Sequence, residues 1–196
     1  MPAADRNGEG DRPGAPPHVL AILPNLITLA RLCAVPATIW LILQHRLDIA
    51  FLVFVGAGIS DAIDGWLARS LNAHSALGAM LDPVADKALL VSVYVTLAGI
   101  GMLPEWLAIL VVFRDLVIVG GILMLWVLGQ PPAIRPLLVS KINTAMQLIL
   151  AGTTLLLHGF DLHAGVPLWP LILATAGTTL ASGVAYVANV LRQGAA

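Results

Sequence analysis

After residue 17 the chain alternates between long apolar runs and short polar breaks. Six runs fall near 24–44, 48–69, 76–99, 104–128, 136–157 and 166–190, each close to the roughly 20 residues that cross a bilayer core as a helix. The breaks carry turn or polar residues: His45-Arg46-Leu47-Asp48, Ser70-Leu71-Asn72-Ala73-His74, Gly101 to Pro104, Gln130-Pro131-Pro132 and His158 to Gly165. In hydrocarbon a backbone N–H or C=O must find its partner within its own segment, so every run is predicted as continuous helix. The expected fold is an all-α integral membrane protein with six transmembrane helices, in one domain over residues 18–196. Residues 1–17 break this pattern. They hold Asp5, Arg6, Glu9, Asp11, Arg12, Pro13, Pro16 and Pro17, a composition that predicts a disordered tail.

Composition agrees with the bilayer as solvent. Hydrophobic residues make up 59% of the chain and charged residues 11%, against about 25% charged in ordinary globular chains. Net charge is -1, so no basic field points to nucleic acid. Cys33 is the only cysteine; it cannot form an internal disulfide and is expected to be a small buried hydrophobe. His45, His74, His158 and His163 fall in predicted loops and read as interfacial residues. The start has no basic segment followed by a small-residue cleavage site, and it is too acidic for a mitochondrial transit peptide. A bacterial plasma membrane is the expected location.

Charge also gives an orientation. With six spans both termini share a side with the second and fourth loops. That side collects Arg6, Arg12, Arg31, Arg69, Arg135, Lys141 and Arg192, while the other holds Arg46 alone. By the positive-inside rule both termini are cytoplasmic. Lys87 and Arg114 fall inside the runs.

The acids inside the runs are concentrated in two neighbouring segments: Asp61 and Asp64 in the second, Asp82 and Asp86 in the third. An unpaired mid-span aspartate costs about 2.5–3.5 kcal/mol on insertion scales, so four cost on the order of 10 kcal/mol. Spacings of three and four put each pair on one helix face. The connection near 70–75 is short, which predicts antiparallel neighbours. At about 1.5 Å per residue Asp61 and Asp82 lie roughly 12 and 9 Å from that connection, so the four carboxylates can converge in a cavity near the cytoplasmic face. Converging carboxylates repel unless cations intervene, and hard divalent ions such as Mg2+ or Mn2+ suit an all-oxygen set. The bland alternative is a packing network in which Arg69 and Lys87 neutralise the acids. A proton- or cation-coupled transporter also uses intramembrane acids, but spreads them along a path, often on broken helices.

Small residues complete the pattern. With Gly65, Ala68, Arg69 and Gly78 the acids read D-x2-D-G-x2-A-R-x8-G-x3-D-x3-D from Asp61 to Asp86. This string resembles the signature of the CDP-alcohol phosphatidyltransferases. Pro24-Asn25-Leu26-Ile27-Thr28-Leu29-Ala30-Arg31, Arg114-Asp115 and Ser140-Lys141-Ile142-Asn143-Thr144 also resemble stretches of that family's cardiolipin and phosphatidylglycerophosphate synthases. The resemblance implies a six-helix, often dimeric membrane enzyme with a polar cavity open to the cytoplasmic side. It implies two divalent ions, Mg2+ or Mn2+, on Asp61, Asp64, Asp82 and Asp86, with Asp86 also the general base. It further implies that Arg69, Gly65, Ala68, Gly78, Asn25 and Thr28 receive CDP-diacylglycerol, and that Arg114, Lys141 and Asn143 lie by the acceptor. Phosphatidylglycerophosphate synthases tend to have a second lysine where Asn143 stands and Arg-Glu where this chain has Arg114-Asp115. Both departures resemble the cardiolipin synthases, whose acceptor is phosphatidylglycerol; glycerol 3-phosphate is the alternative.

Overall fold

The computed structural model describes residues 18–71, 76–127, 138–162 and 167–194, with side chains over 29–60, 87–121, 138–162 and 167–189. Among them are six helices and no strand: α1 His18–Leu43, α2 Leu47–Leu71, α3 Ala76–Gly99, α4 Glu105–Val127, α5 Leu138–Gly159 and α6 Trp169–Gly194. Five of the six apolar runs match these helices to within four residues, the accuracy of a boundary read from sequence. The sixth difference is at the start, where α1 begins at His18 and continues through Pro24. The tail over 1–17 lies outside the described residues.

The ends of α1, α3 and α5 share one chemistry. After α1, the Arg46 N–H donates to the Leu41 carbonyl at 2.9 Å and the His45 N–H to the Ile42 carbonyl at 3.0 Å. His45 takes φ +56°. This is a Schellman cap, which satisfies carbonyls left over at a helix end. After α3 the same bonds run from Met102 to Leu97 and from Gly101 to Ala98, both 2.9 Å, around Gly101 at φ +77°. After α5 the Leu162 N–H reaches the Leu157 carbonyl at 2.8 Å, with Asp161 at φ +54°. Turns this tight send each helix straight back. His158, expected in a loop, instead sits in the last turn of α5, its Nδ1 2.9 Å from the Thr154 carbonyl oxygen.

Contacts between helices close a ring in the order α1, α2, α5, α6, α4, α3, and α3 also touches α5 across it. Among the described residues the apolar core gathers around Ile42, Ala50, Phe54, Val93, Tyr94, Leu97, Leu107, Val111, Leu150 and Leu155. Two close approaches set its geometry. A Cβ added at Gly159 would lie 2.5 Å from the Asp48 backbone nitrogen, so only glycine lets α5 end against the start of α2. The rings of Phe51 and Phe160 meet edge to face at 6.1 Å beside it.

The outer surface is apolar: Trp40, Ile109, Phe113, Leu116, Leu173 and Val184 are all exposed. Among the described residues, Trp169–Asn189 is long and apolar enough to cross a membrane, and shorter apolar helical stretches cover Leu29–Leu43, Leu47–Ser60 and Lys87–Gly99. Cys33 is exposed, not buried as expected. An apolar position need not face inward when the outer face of the helix is itself apolar.

Candidate active site

The short connection between α2 and α3 does not bring their described residues into contact. Each packs on α1 and on α5, leaving a cavity of about 170 Å³ lined by Arg31, Phe54, Ala57, Gly58, Lys87, Leu89, Leu90, Thr144 and Leu148.

The signature positions lie on the two helices that continue from these walls. Asp61, Asp64, Gly65, Ala68 and Arg69 follow Gly58 in α2, which stays helical to Leu71. Gly78, Asp82 and Asp86 precede Lys87 in α3, helical from Ala76. Position 61 is three residues after Gly58, and position 86 is four before Leu90, the intervals that keep residues on one helix face. Asn25 and Thr28 lie in α1, Thr28 one turn before Arg31. The side chains of all these positions lie outside the described residues, as does the convergence expected of the four carboxylates. Among the described residues no three His, Cys, Asp or Glu gather into a metal-binding group. The donor chemistry itself, four carboxylates, fits hard divalent cations. Neither helix is broken through the signature, unlike the discontinuous helices that transporters favour.

Three of the described charged residues, Lys87, Arg114 and Asp115, form a network beside the cavity. The Lys87 ammonium donates to both Asp115 carboxylate oxygens, at 2.8 and 2.9 Å. Arg114 Nη1 donates to the same carboxylate at 2.7 Å. Arg114 Nη2 donates to the hydroxyls of Ser140, at 2.7 Å, and Ser182. Four helices are thereby joined: α3 through Lys87, α4 through Arg114 and Asp115, α5 through Ser140 and α6 through Ser182. The side chains of Arg114 and Asp115 are 3% and 9% exposed, while that of Lys87 is 38% exposed and reaches the cavity. Sequence reasoning offered Lys87 as a neutraliser of the aspartates; its described partner is Asp115.

The three residues expected near the acceptor separate. Arg114 is buried and committed to the network. Lys141 is exposed on α5. Asn143 is fully buried; its Oδ1 accepts from Thr178 at 3.1 Å and Thr179 at 2.8 Å, joining α5 to α6. Arg31, assigned to the cytoplasmic flank by the charge count, is buried within α1 and lines the cavity. Asp115, Ser140, Ser182 and the two threonines were missed as structural partners. An acid and two cations inside apolar runs were the available signal, but nothing in a spacing of 28 residues pairs Lys87 with Asp115.

Comparison with known proteins places this arrangement. Residues 21–186 match the family described as CDP-alcohol phosphatidyltransferase. Cardiolipin synthase (CMP-forming) of Rattus norvegicus and that of Homo sapiens are each 32% identical over 180 residues, covering 84% of this chain and 60% of theirs. CDP-diacylglycerol--glycerol-3-phosphate 3-phosphatidyltransferase 1, chloroplastic, of Oryza sativa subsp. japonica is 33% identical over 186 residues, 84% of this chain and 55% of that protein. The chain thus spans about 60% of the length of the first of these relatives.

Proposed function

The chain belongs to the CDP-alcohol phosphatidyltransferase family, and from that premise we propose that it transfers a phosphatidyl group from CDP-diacylglycerol to phosphatidylglycerol, forming cardiolipin and CMP. The observation that carries this is the complete eight-position signature, set on the two helices that extend from the walls of one cavity. The relatives named cardiolipin synthase, and Asn143 where a second lysine stands in phosphatidylglycerophosphate synthases, favour phosphatidylglycerol as acceptor. The rice relative, named for glycerol 3-phosphate, supports that alcohol as the second reading.

In this mechanism Asp61, Asp64, Asp82 and Asp86 hold two divalent cations, Mg2+ or Mn2+. When bound, these supply positive charge to the phosphoryl oxygens and the departing CMP. Arg69 binds the diphosphate, and Gly65, Ala68 and Gly78 leave room for the nucleotide beside Asn25 and Thr28. Asp86 takes the proton of the acceptor hydroxyl. The acceptor oxygen then bonds to the lipid-linked phosphorus as the bond from that phosphorus to CMP breaks. No Ser or Cys with a base partner is evident in the sequence, so the displacement is direct, without a covalent enzyme intermediate. Purified protein in lipid releases CMP from CDP-diacylglycerol only when Mg2+ or Mn2+ is supplied; release that persists in excess chelator would remove the metal from the reaction.

The six helices span a bacterial plasma membrane, as a homodimer, with both termini and the aspartate cavity on the cytoplasmic side. Lengths of 22 to 26 residues, or roughly 33–39 Å at 1.5 Å per residue, and the exposed apolar residues support the spans, and the charge count along the sequence supports the orientation. Cys33 is exposed, so a topology assay starts from Cys33→Ala. In that background Asp5→Cys is shielded from an impermeant thiol reagent in intact cells and His163→Cys is labelled. The reverse pattern would put the cavity on the outer face.

A further inference from the structure

Two amides on one face of α5 are buried with polar atoms left over. Asn143 and Gln147 are both fully buried and stand four residues apart, the interval that places one above the other on a helix. The Asn143 Oδ1 accepts from Thr178 and Thr179 on α6, while its Nδ2 has no hydrogen-bond partner among the described residues. Neither end of the Gln147 side-chain amide has one among them either. The Gln147 backbone carbonyl accepts from the Tyr94 hydroxyl of α3 at 3.0 Å, and Tyr94 is fully buried as well. Three polar side-chain atoms therefore lie open inside the bundle, on the helix that Tyr94 and the threonines join to α3 and α6. A buried amide without a partner is costly, and native interiors rarely keep one.

Turning the amides over does not remove the deficit. With Asn143 reversed, Nδ2 would meet the threonine hydroxyls, whose protons have the Thr175 carbonyl as acceptor at 3.0 and 2.7 Å, and Oδ1 would be left open instead. Reversing Gln147 exchanges one open end for the other. A direct bond between the two amides would occupy one atom of each and still leave one end of Gln147 open. The partner must therefore both donate and accept, carry no charge and be small. An anion has no proton for the Gln147 oxygen, and a metal ion finds amide nitrogens and no described carboxylate there. We infer that ordered water sits beside Asn143 and Gln147, accepting from one amide and donating to the other. Water fits either orientation of each amide, and a bridge of this kind binds nearly as well as a direct hydrogen bond. It completes the polar join of α3, α5 and α6. The α5 residues that line the cavity, Thr144 and Leu148, each follow by one position, roughly 100° around the helix, so this site is separate from the proposed reaction.

Radiolytic footprinting of the full-length protein in detergent tests this, because hydroxyl radicals generated from a bound water oxidise the side chains beside it. Tyr94 is modified in wild type although it is fully buried. In Gln147→Leu it loses that modification, while Tyr186 on α6 keeps its own. The same variant unfolds about 3 °C lower, the shift for roughly one lost hydrogen bond in a chain of this size. A dry interior gives the opposite pattern: Tyr94 stays unmodified in wild type, and Gln147→Leu melts higher because open polar atoms have been removed. Either of those results would overturn the inference, as would modification of Tyr94 that Gln147→Leu leaves unchanged. If Gln147→Leu fails to fold, a high-resolution experimental structure of the wild type decides. Solvent density within hydrogen-bond distance of the Gln147 amide upholds the site, and apolar packing with no such density sinks it.

Discussion

Asp61→Asn, Asp64→Asn and Asp82→Asn each lower CMP release by at least about 100-fold, or about 2.7 kcal/mol of transition-state stabilisation, while the protein still reaches the membrane. The two halves of this result have one cause. In the proposed site four carboxylates converge and, without cations, would repel, so removing one negative charge should not weaken the fold and should hold or raise the unfolding temperature measured in chelator. The same change removes a charged oxygen ligand, and with it positive charge where negative charge builds up in the reaction. Asp86→Asn separates base from ligand: donor binding suffers less than turnover, because proton removal matters only as the acceptor attacks. Activity above about a tenth of wild type in every one of these variants would limit the loss to about 1.4 kcal/mol, too little for the assigned roles.

Asn143→Lys gives loss of folded protein, not a switch of acceptor. By sequence this position resembles the second lysine of phosphatidylglycerophosphate synthases, so restoring the lysine is the obvious attempt to recruit glycerol 3-phosphate. The structure gives it a different neighbourhood. Asn143 has 0% exposure, and its Oδ1 accepts from the hydroxyls of Thr178 and Thr179. An ammonium there would be buried with no carboxylate among its described partners, at a cost of about 3–5 kcal/mol. Asn143→Leu is milder, about 1–3 kcal/mol, because both threonine hydroxyls keep the Thr175 carbonyl, at 3.0 and 2.7 Å. Thermal unfolding in detergent should rank the proteins wild type, Leu, Lys in falling stability. A lysine variant as stable as wild type and active on glycerol 3-phosphate would show that position 143 faces the acceptor.

Legibility in the sequence follows from how the solvent acts on each feature. Helix existence was readable because hydrocarbon forces backbone pairing within each run, and the breaks at His45, Gly101 and Asp161 mark turns that the structure caps in the left-handed region. The signature was readable because four acids in apolar runs have no inexpensive explanation. Which face of each helix points inward was harder. A helix apolar on all sides carries little periodic signal, so Cys33 read as buried and is exposed. Pairings across helices were harder still. Lys87 with Asp115 and Asn143 with Thr179 depend on the ring order of the helices, in which α4 and α5 both meet α6 although α4 and α5 are consecutive in sequence.

The acceptor is tested most directly by giving the purified enzyme CDP-diacylglycerol with Mg2+ and one alcohol at a time, then identifying the lipid product by mass. Phosphatidylglycerol should yield cardiolipin together with an equal amount of CMP, and glycerol 3-phosphate should yield little of either. Phosphatidylglycerophosphate from glycerol 3-phosphate, with no cardiolipin from phosphatidylglycerol, would contradict the proposed function.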